Sequence, residues 1–201
     1  MGLRLRVGAA GCGVSAHEED LFALAVAVVR SAASDGHGAA VSLEDGAEQT
    51  VRMLQDTKSA SQKVLLAGNG GSSAIVSHVQ NDLCKATGVR AMVFTEQPLL
   101  TALANDDGYG SVFEWPINMW AEAGDLFITV SSSGQSENIV RGLKAAKEKG
   151  CNVVTMSGFE PDNASRGLGD LNFYVPSSVY AYVETAHTAL AHYLTTKAAG
   201  L

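Results

Sequence analysis

The sequence predicts an α/β domain in which a five-stranded parallel sheet is covered by helices on both faces and preceded by two N-terminal helices. Three observations carry this reading. From Lys63 onward, short apolar runs alternate with helix-length segments, the pattern of a parallel sheet built from right-handed crossovers. Four of the five runs are not polar on alternate residues, as strands covered on both faces require. Of the 201 residues, 46% are hydrophobic and only 17% charged, which supplies a packed core and excludes a disordered chain.

The elements follow in order. Residues 1–15 read as a flexible leader. Ala9-Ala10-Gly11-Cys12 superficially matches a lipoprotein cleavage site, but the apolar stretch that should precede it is missing. Arg6 breaks the myristoylation pattern, so cytoplasmic location is the default. Glu18–Ser34, behind the N-cap candidate Ser15, is rich in Ala, Val and Leu and reads as a helix ended by Gly36–Gly38. Ser42 opens a second helix that runs to about Lys58 with Glu44 and Asp45 in its first turn, where the helix dipole favours acids. Residues 16–60 thus form a helical segment with an apolar surface for self-association, and residues 61–201 form the α/β domain. Its strands are Val64–Ala67, Ala91–Phe94, Leu126–Val130, Asn152–Met156 and Leu171–Val175. Helices cover Ser73–Thr87, part of Leu99–Glu122 (interrupted near Pro116), Ser136–Lys149 and Val179–Lys197.

Charge narrows the function. Lys and Arg total 14 against 21 Asp and Glu, a net charge of −7. There is no basic patch of the kind that neutralises nucleic-acid phosphates. No apolar run approaches the roughly 20 residues needed to cross a bilayer. The three cysteines, at 12, 84 and 151, are odd in number and scattered, which fits a reducing compartment. An anionic ligand would therefore have to be held by local devices.

Two strand ends offer such devices, where open parallel sheets bind ligands. Leu65-Leu66-Ala67-Gly68-Asn69-Gly70-Gly71-Ser72-Ser73 is glycine-rich and leads into a helix. Glycines admit an anion close to the backbone, and the helix start presents unpaired N–H groups to it. Thr129-Val130-Ser131-Ser132-Ser133-Gly134-Gln135-Ser136 places serine hydroxyls at the next strand-to-helix turn. Together the loops can hold phosphate without lysine. A dinucleotide reading of Gly68-x-Gly70-x-x-Ser73, with Glu96 closing the next strand, is weaker. Its third glycine is replaced, and it leaves the second loop unexplained.

His78 and Asp82 are four apart and share a helix face. Glu184, His187 and His192 lie on the final helix. Two imidazoles and two carboxylates make a ligand set for a divalent transition metal and equally an acid/base set. His187, taken alone, reads as a core-edge histidine.

Gly68-Asn69-Gly70-Gly71-Ser72, Asn105-Asp106, Gly124-Asp125, Ser131-Ser132-Ser133-Gly134-Gln135-Ser136 and the closing Glu184…His192 helix resemble, in order and spacing, the sugar-isomerase (SIS) fold. Within that fold the chain is similar to the phosphoheptose isomerases, from about Asp45 to the C-terminus. The resemblance implies a flavodoxin-like three-layer sandwich, a homotetramer with shared active sites and one Zn²⁺ per site. It implies interconversion of sedoheptulose 7-phosphate and D-glycero-D-manno-heptose 7-phosphate. Substrate contacts then fall on Asn69, Gly70, Gly71, Ser72, Asn105, Asp106, Ser131, Ser132, Ser133, Ser136 and Glu184. Metal ligands fall on His78, Asp82, Glu184 and His192, and the acid/base pair on Asp82 and His192. Three positions depart from the family: Asp82 replaces Glu, Glu184 replaces Gln, and Ala181 replaces an Asp.

Aldose–ketose isomerisation through an enediol needs a base at carbon, an acid at oxygen and stabilisation of the developing oxyanion. The residues above supply each part, with the loops positioning the phosphate. The competing reading is a non-enzymatic SIS protein that binds phosphosugars or a protein partner such as a replication initiator. The replication-initiator-associating class lacks the catalytic carboxylate and the second histidine, both of which have counterparts here in Asp82 and His192.

Overall fold

The computed structural model describes residues 32–201. A seven-stranded sheet forms its middle layer, in the order β2-β1-β7-β6-β5-β3-β4. Strands β3 (Val64–Gly68), β4 (Ala91–Val93), β5 (Leu126–Ser131), β6 (Asn152–Ser157) and β7 (Leu171–Tyr174) are parallel, and they coincide with the five runs expected. β3 and β5 are buried along their whole length, which is why their sequences lack alternation.

The other two strands correct the expectation of a purely parallel five-stranded sheet. β1 (Ala32–Asp35) and β2 (Ala40–Val41) form a hairpin, and β1 pairs antiparallel with β7. Ala32–Ser34, the expected end of a helix, are therefore strand; the rest of that helix and the leader lie outside the described residues. Alanine favours helix in isolation, but the open edge of β7 offers a ladder of unpaired N–H and C=O groups. Pairing there buries Ala33 and Ser34. Asp35 accepts the N–H groups of His37 and Ala39 (2.9 Å each), and Gly38 takes a positive φ of 79° to close the turn.

Helix α1 (Leu43–Ser59) begins as expected, Ser42 Oγ accepting the Asp45 N–H at 3.0 Å. α2 (Gly70–Asp82) passes directly into a π-helical turn at Leu83–Thr87. The expected Leu99–Glu122 segment is two helices, α3 (Gln97–Asp106) and α4 (Ser111–Trp120). The break falls at Asp107–Gly110, where Gly108 has φ 81°, and Pro116 is accommodated inside α4. α5 (Glu137–Glu148), the one-turn α6 (Ala164–Leu168) and α7 (Tyr180–Ala198) complete the chain.

The helices form the outer layers. One core packs α1, α2 and α7 on one face through Leu54, Val76, Val79, Leu190 and Leu194. The other packs α4 and α5 on the opposite face through Phe113, Ile117, Ile139 and Leu143. On α7 the buried positions Val183, His187, Leu190, Ala191 and Leu194 recur at helical spacing. Both α2 and α7 follow parallel strands, so they run in the same direction side by side. Tyr193 and Lys197 of α7 bond to Glu44 of α1.

Candidate active site

The first half of the site is a serine cradle at the carboxyl ends of β3 and β5. Asn69, Ser72, Ser131, Ser132, Ser133, Ser136, Tyr180 and Glu184 line a pocket of about 100 Å³. It lies at the starts of α2 and α5, whose N-caps Asn69 and Ser136 leave the first-turn N–H groups without a capping side chain. Those groups are available to an anion. None of the lining residues is cationic, as the acidic composition anticipated.

Local backbone demands explain the glycines. A Cβ on Gly68 would lie 2.7 Å from the carbonyl oxygen of Ser72, and Gly134 has φ 62° with Asn163 directly against it. Ser131 Oγ accepts the Gly134 N–H (3.2 Å), and Ser133 Oγ accepts that of Gln135 (3.2 Å). Ser132 Oγ is buried with no partner among the described residues. A buried hydroxyl left unpaired is costly, and inside an anion cradle it marks a place for a ligand oxygen.

Asn69 is held by residues that the sequence did not single out. Its amide exchanges two hydrogen bonds with that of Asn138 (3.0 and 2.9 Å), and Tyr109 OH donates to Asn69 Oδ1 at 3.1 Å. Asn138 lies inside helix α5, where Asn is a poor former; that was the available signal. Asn105 and Asp106 lie exposed at the end of α3, bonded to each other (2.7 Å). They do not line the cradle, and the loop that follows them delivers Tyr109 to it.

The second half is a cluster on the α2–α7 seam. One ligand atom each from His78, Asp82 and His192 lie within 4.8 Å of one another. Asp82 Oδ2 stands 3.5 Å from His78 Nε2 and 3.8 Å from His192 Nδ1. The two rings meet edge-on with centroids 4.8 Å apart. Thr195 Oγ1 donates to Asp82 Oδ2 (3.2 Å) and Asn81 Nδ2 to Asp82 Oδ1 (3.1 Å). The two imidazoles are exposed and the carboxylate half-buried, so ligand access is open.

Glu184 does not join this cluster within the chain. Its carboxylate stands over Gly71, where a Cβ would come within 2.6 Å of Oε2, and it belongs to the serine cradle. Eight residues of helix separate it from His192, a rise of about 12 Å. The expected four-ligand centre is therefore a three-residue cluster here. Ala181 is exposed on the first turn of α7.

Two further residues from the sequence reading are structural. His187 is fully buried, with Nε2 3.1 Å from the Ser157 carbonyl oxygen. Burial pushes its pKa down to about 4, only partly offset by that hydrogen bond, so it is neutral near pH 7. Asp125, also fully buried, accepts the N–H groups of Lys63 (3.0 Å) and Glu122 (2.8 Å) and pairs with Lys63 Nζ (2.8 Å). It clamps the amino end of β5, away from the cradle.

Comparison with known proteins identifies the family of this fold. The profile of the SIS domain matches residues 29–158. A phosphoheptose isomerase of Aliarcobacter butzleri is 31% identical over 156 residues, covering 75% of this chain and 82% of that protein. The solved phosphoheptose isomerase of Francisella tularensis superposes with a TM-score of 0.81 at 20% identity, over 95% of this chain and all of that one. That of Neisseria gonorrhoeae gives 0.77 at 25% identity, over 92% and 96%. The fold is that of a SIS-domain protein. Within that class the chain belongs to the phosphoheptose isomerase family.

Proposed function

We propose that the chain is an aldose–ketose isomerase converting sedoheptulose 7-phosphate to D-glycero-D-manno-heptose 7-phosphate through an enediol. The observation that carries this reading is the placement of two different sites along one helix pair. The serine-lined pocket lies at the start of α2, beside Gly71 and Glu184, and the cluster of His78, Asp82 and His192 lies at its end. From Gly71 to His78 the helix rises about 10 Å. A sugar with phosphate on one terminus and a carbonyl at the other needs such a separation.

In this reading the amides and the hydroxyls of Ser72, Ser131, Ser132, Ser133 and Ser136 hold the phosphate. Gly70 and Gly71 let the backbone approach the ligand beside the Glu184 carboxylate, and Asn69 and Glu184 face the sugar from the cradle. Asn105 and Asp106 would meet only a part of the sugar that extends beyond it. Asp82 moves the proton between neighbouring carbons, and His192 exchanges one with the carbonyl oxygen. Two imidazoles and a carboxylate are a suitable donor set for a divalent ion with an open position, and Zn²⁺ is the ion we propose for His78, Asp82 and His192. When bound, it supplies Lewis-acid polarisation of the carbonyl.

A homotetramer with shared sites, using surface from residues 16–60, completes the proposal. The exposed Trp115, Met119 and Trp120 of α4 support a surface that a partner copy covers. A cytoplasmic location is supported by Cys84 and Cys151, which form no disulfide among the described residues. No helix among the described residues is long and apolar enough to cross a membrane.

The test is incubation with sedoheptulose 7-phosphate, with and without a chelator, and identification of the product. An aldoheptose 7-phosphate whose formation the chelator slows is the expected result. Retained phosphosugar binding without turnover would instead identify a binding protein of the same fold.

A further inference from the structure

Thr195 lies on α7 one turn beyond His192 and is only 5% exposed. Its neighbours on the buried stripe are Ala191 and Leu194, and with Leu54, Val79 and Leu83 it borders a small apolar cavity of about 20 Å³. Valine would fill this position equally well by shape, and a buried hydroxyl is unfavourable unless it is hydrogen-bonded. Packing therefore does not account for the hydroxyl. A helical threonine ordinarily bonds a carbonyl three or four residues back, and here the His192 carbonyl oxygen lies 3.3 Å from Oγ1. Asp82 Oδ2 is as close, at 3.2 Å, and a carboxylate is the stronger acceptor for the single proton available.

We infer that Thr195 is a positioning residue for the reaction: its hydroxyl fixes the Asp82 carboxylate on the α2–α7 seam. Oδ2 is the oxygen that faces both imidazoles, and Thr195 reaches it from the buried side. Asn81 holds Oδ1 from the exposed side. Between them the two donors leave the carboxylate one orientation, with Oδ2 between His78 and His192. The inference rests on the proposed role of Asp82 as the group that moves the proton and binds the ion.

The experiment compares Thr195→Val, which keeps the shape and removes the donor, with Thr195→Ser, which keeps the donor. Three quantities are read: kcat and KM for sedoheptulose 7-phosphate, zinc affinity by competition with a chromophoric chelator, and the thermal unfolding midpoint. Thr195→Val is expected to lower kcat about tenfold, the scale of one hydrogen bond to a charged group. KM should stay within about twofold, because the phosphate cradle is untouched. Zinc affinity should weaken severalfold with little change in the midpoint, and Thr195→Ser should recover both losses. In an Asp82→Ala background, which removes the acceptor, Thr195→Val should have no further effect on zinc affinity.

Unchanged kcat and zinc affinity in Thr195→Val overturn the inference. So does a loss that follows the unfolding midpoint, or one that Thr195→Ser shares. A wild-type chain that binds zinc but does not turn over the heptose refutes the isomerase reading and leaves Thr195 decided by zinc affinity and its coupling to Asp82. A wild-type chain that does neither overturns the positioning role as well.

Discussion

His187 sets a limit on acid stability that can be worked out from its surroundings. The side chain is fully buried under α7, Nε2 meets the Ser157 carbonyl oxygen, and Nδ1 has no partner among the described residues. Burial lowers its pKa from 6.5 to about 4. Above pH 6.5 both folded and unfolded chains hold it neutral, and it contributes no pH dependence. As pH falls below 6.5 the unfolded chain takes up a proton that the folded chain refuses, so stability declines until about pH 4. The full loss is about 3 kcal/mol, with about 2 kcal/mol of it gone by pH 5. His187→Gln keeps a donor for Ser157 and removes the titration. Urea unfolding at pH 7, 6, 5 and 4.5 should show wild type losing about 2 kcal/mol more than the variant between pH 7 and 5, while the carboxylates common to both proteins cancel. The same pH dependence in both proteins would refute the assignment of His187 as a buried neutral anchor.

The remaining predictions concern the cradle. Ser72→Ala and Ser133→Ala should each weaken phosphosugar binding by about 1.5–3 kcal/mol, the range for a hydrogen bond to a charged group, measured by calorimetry; wild-type affinity in both would remove the hydroxyls from the phosphate site. Ser132→Ala should cost ligand affinity on the same scale but leave the free protein as stable as wild type, because its hydroxyl has no partner to lose; a lowered unfolding midpoint would contradict this. Glu184→Gln removes a negative charge from the cradle and should tighten phosphosugar binding severalfold at low salt while leaving zinc affinity unchanged. A loss of zinc affinity in that variant would return Glu184 to the metal centre.

Much of this architecture was legible in local patterns. The five parallel strands showed as apolar runs because both their faces are covered, and α1 announced its start through Ser42, Glu44 and Asp45. The cradle was legible because each loop is contiguous in sequence and sits at a strand end. The hairpin at Ala32–Val41 was not, because an alanine-rich stretch became strand only by pairing with β7, which lies more than a hundred residues away. The break between α3 and α4 fell at the glycines around Tyr109, while Pro116, the more obvious punctuation, sits inside α4. Asn138, Tyr109 and Thr195 escaped notice because their partners lie 69, 40 and 113 residues distant. His78 and Asp82 share a face by spacing alone, whereas the final helix offered both His187 and His192 as the second imidazole and the resemblance chose His192. Glu184 entered the ligand set as the second carboxylate, but the rise of helix between it and His192 separates the two within the chain, and its carboxylate lines the cradle.

In the proposed reaction Asp82 moves a proton between neighbouring carbons of a bound heptose phosphate. The most direct measurement is nuclear magnetic resonance of sedoheptulose 7-phosphate incubated with the chain in deuterium oxide, for wild type and for Asp82→Asn. Wild type should form the aldoheptose and exchange hydrogen for deuterium at the carbon beside the carbonyl. Asp82→Asn should still bind the phosphosugar and show no exchange. Exchange or product formation at the wild-type rate in Asp82→Asn, or neither product nor exchange in wild type with the sugar phosphate bound, would contradict this role of Asp82.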